Sequence, residues 1–227
     1  MTHFRQKILI LGLFSATLLW GQEDPLGGRG APYLRMGIGS RAQAMGNAHT
    51  AFLAPSTVVP YWNPAMAVFQ ETPFNFTAGY RFLSLGRRQG HLSFALKAPP
   101  RAALSVAMLY GGDGDIPVYD SDENFAYTGG FSVFATHVAI AYKIHKRLSV
   151  GLNTTLHHAS LTAGPNEADR LKTSEIGNLD LAVYYELKKY FAFGLNLKEI
   201  KSSINWEAPT YNTDLNTVIV DTLPVEV

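Results

Sequence analysis

The chain contains no cysteine. That excludes disulfides, thiolate-bound metals and a cysteine nucleophile. Charge is also scarce: Asp, Glu, Lys and Arg make up 16% of the 227 residues, against about 25% in an ordinary soluble domain. The net charge is +1, so nothing in the balance points to nucleic acid. No apolar run reaches the length of about 18 residues that a membrane-spanning helix needs. A Gly-rich phosphate loop, a Ser-His-Asp order and an H-E-x-x-H helix are all missing. The reading is of a chain that is not an enzyme and carries no cofactor.

What is present is apolar and aromatic: 47% hydrophobic residues, with 13 Phe and 11 Tyr. The first residues read as a targeting segment. Arg5 and Lys7 precede Ile8–Trp20, an uncharged apolar run of 13 residues, which Gly21-Gln22-Glu23-Asp24-Pro25 breaks. The run is too short to span a bilayer and fits the apolar region of a secretory signal peptide, residues 1–21. A buried N-terminal helix or a membrane anchor is the alternative. An exported chain without a spanning helix belongs in the periplasm or the outer membrane.

From Pro73 onward, apolar and small residues alternate with a period of two. Phe74, Phe76, Tyr80 and Phe82 oppose Asn75, Thr77, Gly79 and Arg81; Leu148, Val150, Leu152 and Leu156 oppose Ser149, Gly151, Asn153 and His157. The same pattern recurs over 91–98, 102–110, 134–144, 178–187 and 191–198. Seven such segments predict an all-β, antiparallel chain. Their length of about ten residues exceeds the usual strand and matches what a tilted strand needs to cross a membrane. Tight turns are expected at 99–101 and 188–190, and long polar loops at 111–130, 161–176 and 202–217, the end-to-end asymmetry of outer-membrane barrels.

One face of each segment is Leu, Val, Phe and Tyr; the other is Gly, Ala, Ser, Asn and Thr. In a membrane barrel the first meets lipid and the second lines a lumen. Tyr80, Phe82, Tyr110, Tyr142, Tyr185 and Phe191 fall at strand ends, where an aromatic girdle sits. A soluble sandwich or lipocalin-like barrel would turn the apolar face inward. Its water-facing side would carry more Lys and Glu than is seen here.

Residues 58–69, VVPYWNPAMAVF, do not alternate. Pro64 fixes its own φ and holds Asn63 out of the α region, and the Asn63 side chain can bond the backbone two residues on. This stretch belongs to a longer set of spaced motifs: Gly37-Ile38-Gly39-Ser40-Arg41-Ala42, then Ala44-Met45-Gly46-Asn47-Ala48, then Tyr61-Trp62-Asn63-Pro64-Ala65. With YGGDGDIPVYD (110–120), KRLSVGLNTTLHHASL (146–161) and VDTLPVEV (220–227), the set resembles the PorV/PorQ-type family of outer-membrane barrels, relatives of the FadL-type hydrophobe channels. The resemblance covers residues 34–227. It departs where family members carry acidic residues before the Tyr-Trp-Asn-Pro-Ala run; Leu53–Thr57 stands there instead.

The resemblance implies a hatch, residues 22–72, folded inside the strands of 73–227 with Asn63-Pro64 at its inner turn. Gly37, Gly39, Ala42, Ala44, Gly46 and Ala48 would let it lie close to the lumen wall, Tyr61 and Trp62 would fill the lumen, and Arg41 would pair with Asp180 or Glu186. The plug motif is then Gly37, Gly39, Arg41, Met45, Gly46, Tyr61, Trp62, Asn63 and Pro64. An unpacked periplasmic arm is the alternative. Related barrels have fourteen strands, while seven are clear here, with an eighth expected at 216–221 or from Leu223. The expectation is therefore about the first half of a larger barrel, with a complete eight-stranded barrel as the alternative. By the same resemblance the chain sits in outer-membrane lipid as a type IX secretion component that binds exported proteins through their C-terminal signal domains. The other reading is a channel for hydrophobic small molecules.

Two further clusters are weaker. Asp113, Asp115, Asp120, Asp122 and Glu123 lack the spacing of a Ca²⁺ loop and read as a solvated turn. His157 and His158 point to opposite faces of a strand, which is wrong for joint metal ligation. His137 reads as a hydrogen-bonded lumen histidine.

Overall fold

The computed structural model describes residues 36–227, except 163, 166–169, 189–190, 201–202, 213–216 and 227; the side chains of 115, 174–178, 188 and 203–226 are also outside the description. The signal-peptide segment 1–21 and residues 22–35 lie outside the described residues.

Among the described residues the chain is all-β apart from two short helices, α1 (Ser40–Ala44) and α2 (Val59–Trp62), and a 3₁₀ helix, Pro64–Phe69. One antiparallel sheet holds nine strands: β1 (Phe74–Phe82), β2 (Arg88–Ala98), β3 (Ala102–Tyr119), β4 (Phe125–His145), β5 (Leu148–Thr162), β6 (Arg170–Lys188), β7 (Phe191–Ile200), β8 (Ser203–Asn212) and β9 (Thr217–Glu226). They follow in order from β1 to β6. β6 then pairs β7 along one half and touches β8 at Lys172 and Glu207, and β8 pairs β9. Among the described residues β1 does not pair β9, so the sheet is open.

Among the described residues the strand count is nine, not the seven or eight read from the sequence. β9 covers both positions expected for an eighth strand, and β8 was missed. Pro209 stands inside β8 and demotes that run in any pattern reading. The long loops are corrected too. Residues 111–130 are mostly ladder: β3 runs to Tyr119 and β4 begins at Phe125, with register shifts around Asp113–Ile116 and Val118–Tyr119. Where a loop was expected at 161–176, strand runs to Thr162 and resumes at Arg170, and where one was expected at 202–217, strand covers Ser203–Asn212 and resumes at Thr217. The glycines and aspartates that read as loop lie in hairpins that project past the β1–β2 turn. Between Ile116 and Thr128 no described residue is buried, so burial imposes no alternation there, yet the backbone still pairs. The two ends stay unequal, through long hairpins rather than irregular loops.

Register aligns the apolar positions into rows. Phe74, Leu96, Leu104, Ile140, Leu152, Leu181 and Leu197 are successive cross-strand partners over seven strands. All face outward and are 41% to 60% exposed. The neighbouring outward row is Phe76, Phe94, Val106, Val138, Thr154 and Leu179. Of the aromatics expected to form a girdle, Tyr80, Phe82, Tyr142 and Phe191 are exposed on this face. Tyr110 stacks on Phe134 at 4.9 Å. Between Tyr142 and Phe134 the strand spans about 27 Å.

The opposite face is small and buried. Ala103, Ala141, Gly151 and Ala182 are successive partners in one row, and the three alanines are fully buried. What buries them is the N-terminal segment. Val58, Val59, Trp62, Ala65, Met66 and Ala67 pack on Ala103, Ala107, Ala135, Ala141 and Ala182. The core is therefore the contact between residues 36–72 and the small-residue face; apart from Leu109, Val133 and Tyr184, which join it, the large apolar residues of the strands mostly point away from it. This inverts the usual plan, in which large apolar side chains are the ones most often buried.

Candidate functional site at the Asn63 turn

Asn63 is completely buried at the junction of α2 and the 3₁₀ helix. The Ala65 N–H donates to Asn63 Oδ1 at 3.0 Å, the bond two residues on that an Asn-Pro turn offers. Asn63 Nδ2 donates to Thr50 O at 2.9 Å within the segment and to Val183 O at 3.1 Å on β6. One side chain thus ties its own turn, its own segment and the strand wall together.

The wall answers with small groups. Ser149 Oγ donates to Ala65 O at 2.6 Å. A Cβ on Gly151 would meet Ala65 N at 2.6 Å, and one on Gly194 would collide with Thr50 O. Asn196 Nδ2 donates to Trp62 O at 3.0 Å. Further out, Asn75 Nδ2 donates to Pro55 O at 2.8 Å. The segment is bonded to β1, β5, β6 and β7 together, which a loose arm would not be.

Tyr61 and Trp62 are both buried and meet edge to face at 4.9 Å. Trp62 Nε1 donates to Ile38 O at 3.0 Å, which anchors the start of the segment. Lys198 Nζ sits 3.9 Å from the Tyr61 ring centroid, close enough for cation–π attraction. Burial pushes the Tyr61 hydroxyl up to about 12; the negative charge of Glu199 adds to this and Arg81 opposes it. The phenol is neutral at any physiological pH.

Behind Tyr61 lies a buried polar cluster. His137 Nδ1 is in hydrogen-bond contact with Thr155 Oγ1 at 2.9 Å and Asn153 Nδ2 at 3.2 Å. Asn153 Nδ2 also donates to Asp180 Oδ2 at 2.7 Å, and the Glu199 N–H donates to Asp180 Oδ1 at 2.8 Å. Asp180 reaches Asn153 rather than His137, so the groups do not form a Thr-His-Asp relay. His157 is buried on this face and His158 is exposed on the other. Among the described residues no three His, Asp or Glu side chains gather as a metal site. In the turn after β3, Asp120 Oδ1 accepts from the N–H groups of Asp122 and Asn124 at 2.9 and 2.8 Å, which accounts for that residue as a turn former.

The structure divides the motif residues. Tyr61, Trp62, Asn63 and Pro64 sit together at the centre. Gly37, Gly39 and Gly46 have φ of 70°, 87° and 63°, the left-handed region. Close approach to the wall is not their role: a Cβ on Gly39 or Gly46 would meet nothing within 4 Å. Of the small residues expected to lie on the wall only Ala42 is buried among the alanines, while Ala44 and Ala48 are exposed. Met45 is exposed at the end of α1. Arg41 does not reach Asp180 or Glu186; its guanidinium lies over the Phe52 ring at 5.8 Å. Gly37 makes room for the Asn47 side chain; the glycines that admit close contact between segment and wall are on the strands, at 151 and 194, and sequence reasoning assigned them no role. Their small side in an otherwise alternating run was the available signal.

A cavity of about 980 Å³ opens between the segment and the sheet, lined by Phe52, Phe69, Gln70, Tyr184, Glu186 and Phe191 among others. Gln70 is buried, and neither its Nε2 nor its Oε1 has a partner among the described residues. No family model, no curated protein and no solved structure matches the chain.

Proposed function

We propose that the chain is an outer-membrane β-barrel protein of the PorV/PorQ type, part of a fourteen-stranded FadL-like barrel whose lumen is plugged by residues 36–72, and that it serves type IX secretion by binding exported cargo. The observation that carries the membrane part is the outward apolar row from Phe74 to Leu197. Water does not favour seven exposed large apolar side chains in register, and a monomer in water rarely shows so large a patch. Lipid favours them. In lipid the open ladder edges of the sheet must be paired, so further strands close the barrel. The plug follows from the buried Asn63 turn and its bonds to β5, β6 and β7. The secretion part rests on the resemblance of the Gly37–Ala42, Ala44–Ala48 and Tyr61–Ala65 motifs, with the long hairpins β3–β4 and β5–β6 as the surface that takes cargo.

The test is a deletion in the source bacterium. Proteins that carry C-terminal signal domains then accumulate in the periplasm, and the full-length gene restores their export. Normal export in the deletion strain contradicts the secretion role.

One observation favours a second reading, a passive channel for hydrophobic small molecules. The cavity beside Gln70 is ringed by Phe52, Phe69, Tyr184 and Phe191, with an amide to orient a polar end. Loss of long-chain fatty-acid uptake in the same deletion strain, with export intact, selects that reading.

A further inference from the structure

A second, smaller cavity of about 230 Å³ lies between the N-terminal segment and the inner faces of β1 and β2. Its lining includes Arg41, Arg81, His49, His91, Gln89 and Thr77, and among the described residues it contains no Asp or Glu. Arg81 and Gln89 are direct cross-strand partners, as are Gly79 and His91, so these side chains stand on adjacent positions of one face. Gly79 makes room for the imidazole: a Cβ there would collide with the His91 ring.

Several polar atoms around this space are unsatisfied. Arg81 Nη2 donates to Gly37 O over a long 3.4 Å, and its buried Nε has no partner among the described residues. Thr77 Oγ1 is buried and without a partner as well. His49 is 2% exposed and its Nδ1 has no partner among the described residues, while its Nε2 is 3.0 Å from Thr57 Oγ1. Thr57 Oγ1 accepts from the Ala54 N–H at 2.9 Å. The Thr57 hydroxyl also has the Phe52 carbonyl as an acceptor at 3.4 Å; in the tautomer in which it turns to Nε2 instead, His49 carries its proton on Nδ1 and is a donor.

Buried donors without acceptors are costly, and the buried Nε of the partly exposed Arg81 is one of them. A bound anion would satisfy them together. We propose that this cavity is an oxyanion site, sized for a phosphate group: Arg81 and Arg41 supply the charge, and Thr77, Gln89, His49 and His91 supply neutral donors. The volume leaves room for a tetrahedral anion and a few waters. A guanidinium fork matches two oxygens of such an anion. The site bridges α1, the His49 loop, β1 and β2, so an anion there would staple the segment to the first hairpin. The proposal does not rest on the function proposed above, because the cavity lies inside the segment–sheet contact whatever meets the outer face.

The experiment is calorimetric titration of inorganic phosphate into the full chain, folded in detergent in a phosphate-free buffer at neutral pH. Saturable one-to-one binding is expected. Arg81→Gln should weaken it at least about tenfold. Thr77→Val removes a hydroxyl that bonds nothing in the fold; it should weaken phosphate binding about threefold with the circular dichroism spectrum unchanged, and it decides the matter if the arginine variant fails to fold. Mixed micelles separate the two sources of a phosphate group. Displacement of inorganic phosphate by phosphatidic acid but not by phosphatidylcholine assigns the site to a lipid headgroup, and displacement by neither assigns it to the free anion. No saturable binding by the parent chain up to about 10 mM, or equal affinity in Thr77→Val and the parent, overturns the proposal.

Discussion

Gly151 on β5 lies so close to Ala65 that a Cβ on the glycine would come within 2.6 Å of the Ala65 amide nitrogen. Two residues before it, Ser149 Oγ donates to the carbonyl of the same alanine. Wall and segment therefore meet backbone to backbone, and only a missing side chain allows it.

Gly151→Val should push the segment off the wall, at a cost of about 1–3 kcal/mol or more from overpacking. The strand ladder does not need that contact. Trypsin should then cut faster after Arg41, while the β signal in circular dichroism stays. Unchanged proteolysis would mean that the segment does not depend on this contact.

Asn63→Ala removes three hydrogen bonds of one buried side chain. At about 1 kcal/mol for each bond, the segment should loosen by roughly 2–3 kcal/mol. Pro64→Ala should act in the same direction but more weakly, because it only frees φ. Faster hydrogen exchange at the Ala65 and Met66 amides, without loss of the strand amides, is the expected readout.

His49 gives the segment a pH dependence. Burial, followed by the positive charge of Arg41, lowers its pKa below the usual histidine value. The unfolded chain therefore binds the proton more readily than the folded one. This contribution to stability is complete above the unfolded value of about 6.5 and is lost as the pH falls below it. Cleavage after Arg41 should accelerate from pH 7.5 to pH 5, both rough settings on either side of that value. His49→Gln should flatten the part due to this residue, and an identical pH response in the variant would contradict the assignment.

On the outer face Leu152→Arg should cost roughly 2–4 kcal/mol in a bilayer and far less in detergent. The adjacent Asn153→Arg is not the mild substitution that alternation alone suggests. Asn153 is buried and bonded to Asp180, so the arginine should damage the fold equally in both media. Denaturant titrations in vesicles and in micelles separate the two patterns.

Much of the strand framework was legible because period-two alternation is a direct image of a sheet with two different solvents. Phe74–Phe82 was delimited to the residue. The register of the outward row follows from the same alternation once tight turns such as Pro99–Arg101 set the offset. Legibility failed where that image fades. Between Ile116 and Thr128 no described residue of the hairpin is buried, so pairing leaves no trace in the hydrophobic pattern. In β8, Pro209 hides a strand. The site was half legible. Asn63-Pro64 announced its own turn through local chemistry, but its contact with Val183 lies 120 positions away and no local signal carries it. Arg41 was misassigned for the same reason: the sequence offers carboxylates as partners, and the fold sets it over Phe52 beside the cavity that holds Arg81.

The central claim is that the large apolar residues of this sheet face lipid and the small ones face the plug. Because the chain has no cysteine, single substitutions such as Leu104→Cys, Ile140→Cys and Leu152→Cys, set against Ser105→Cys and Ala139→Cys, can carry nitroxide labels without background. The full chain is reconstituted in lipid vesicles, and relaxation by oxygen is compared with relaxation by a water-soluble nickel chelate. The account predicts high oxygen and low nickel access at 104, 140 and 152, low access to both at 105 and 139, and a period of two along each strand. High nickel access at 104, 140 and 152 would place the apolar rows in water or against a soluble partner and would contradict the account.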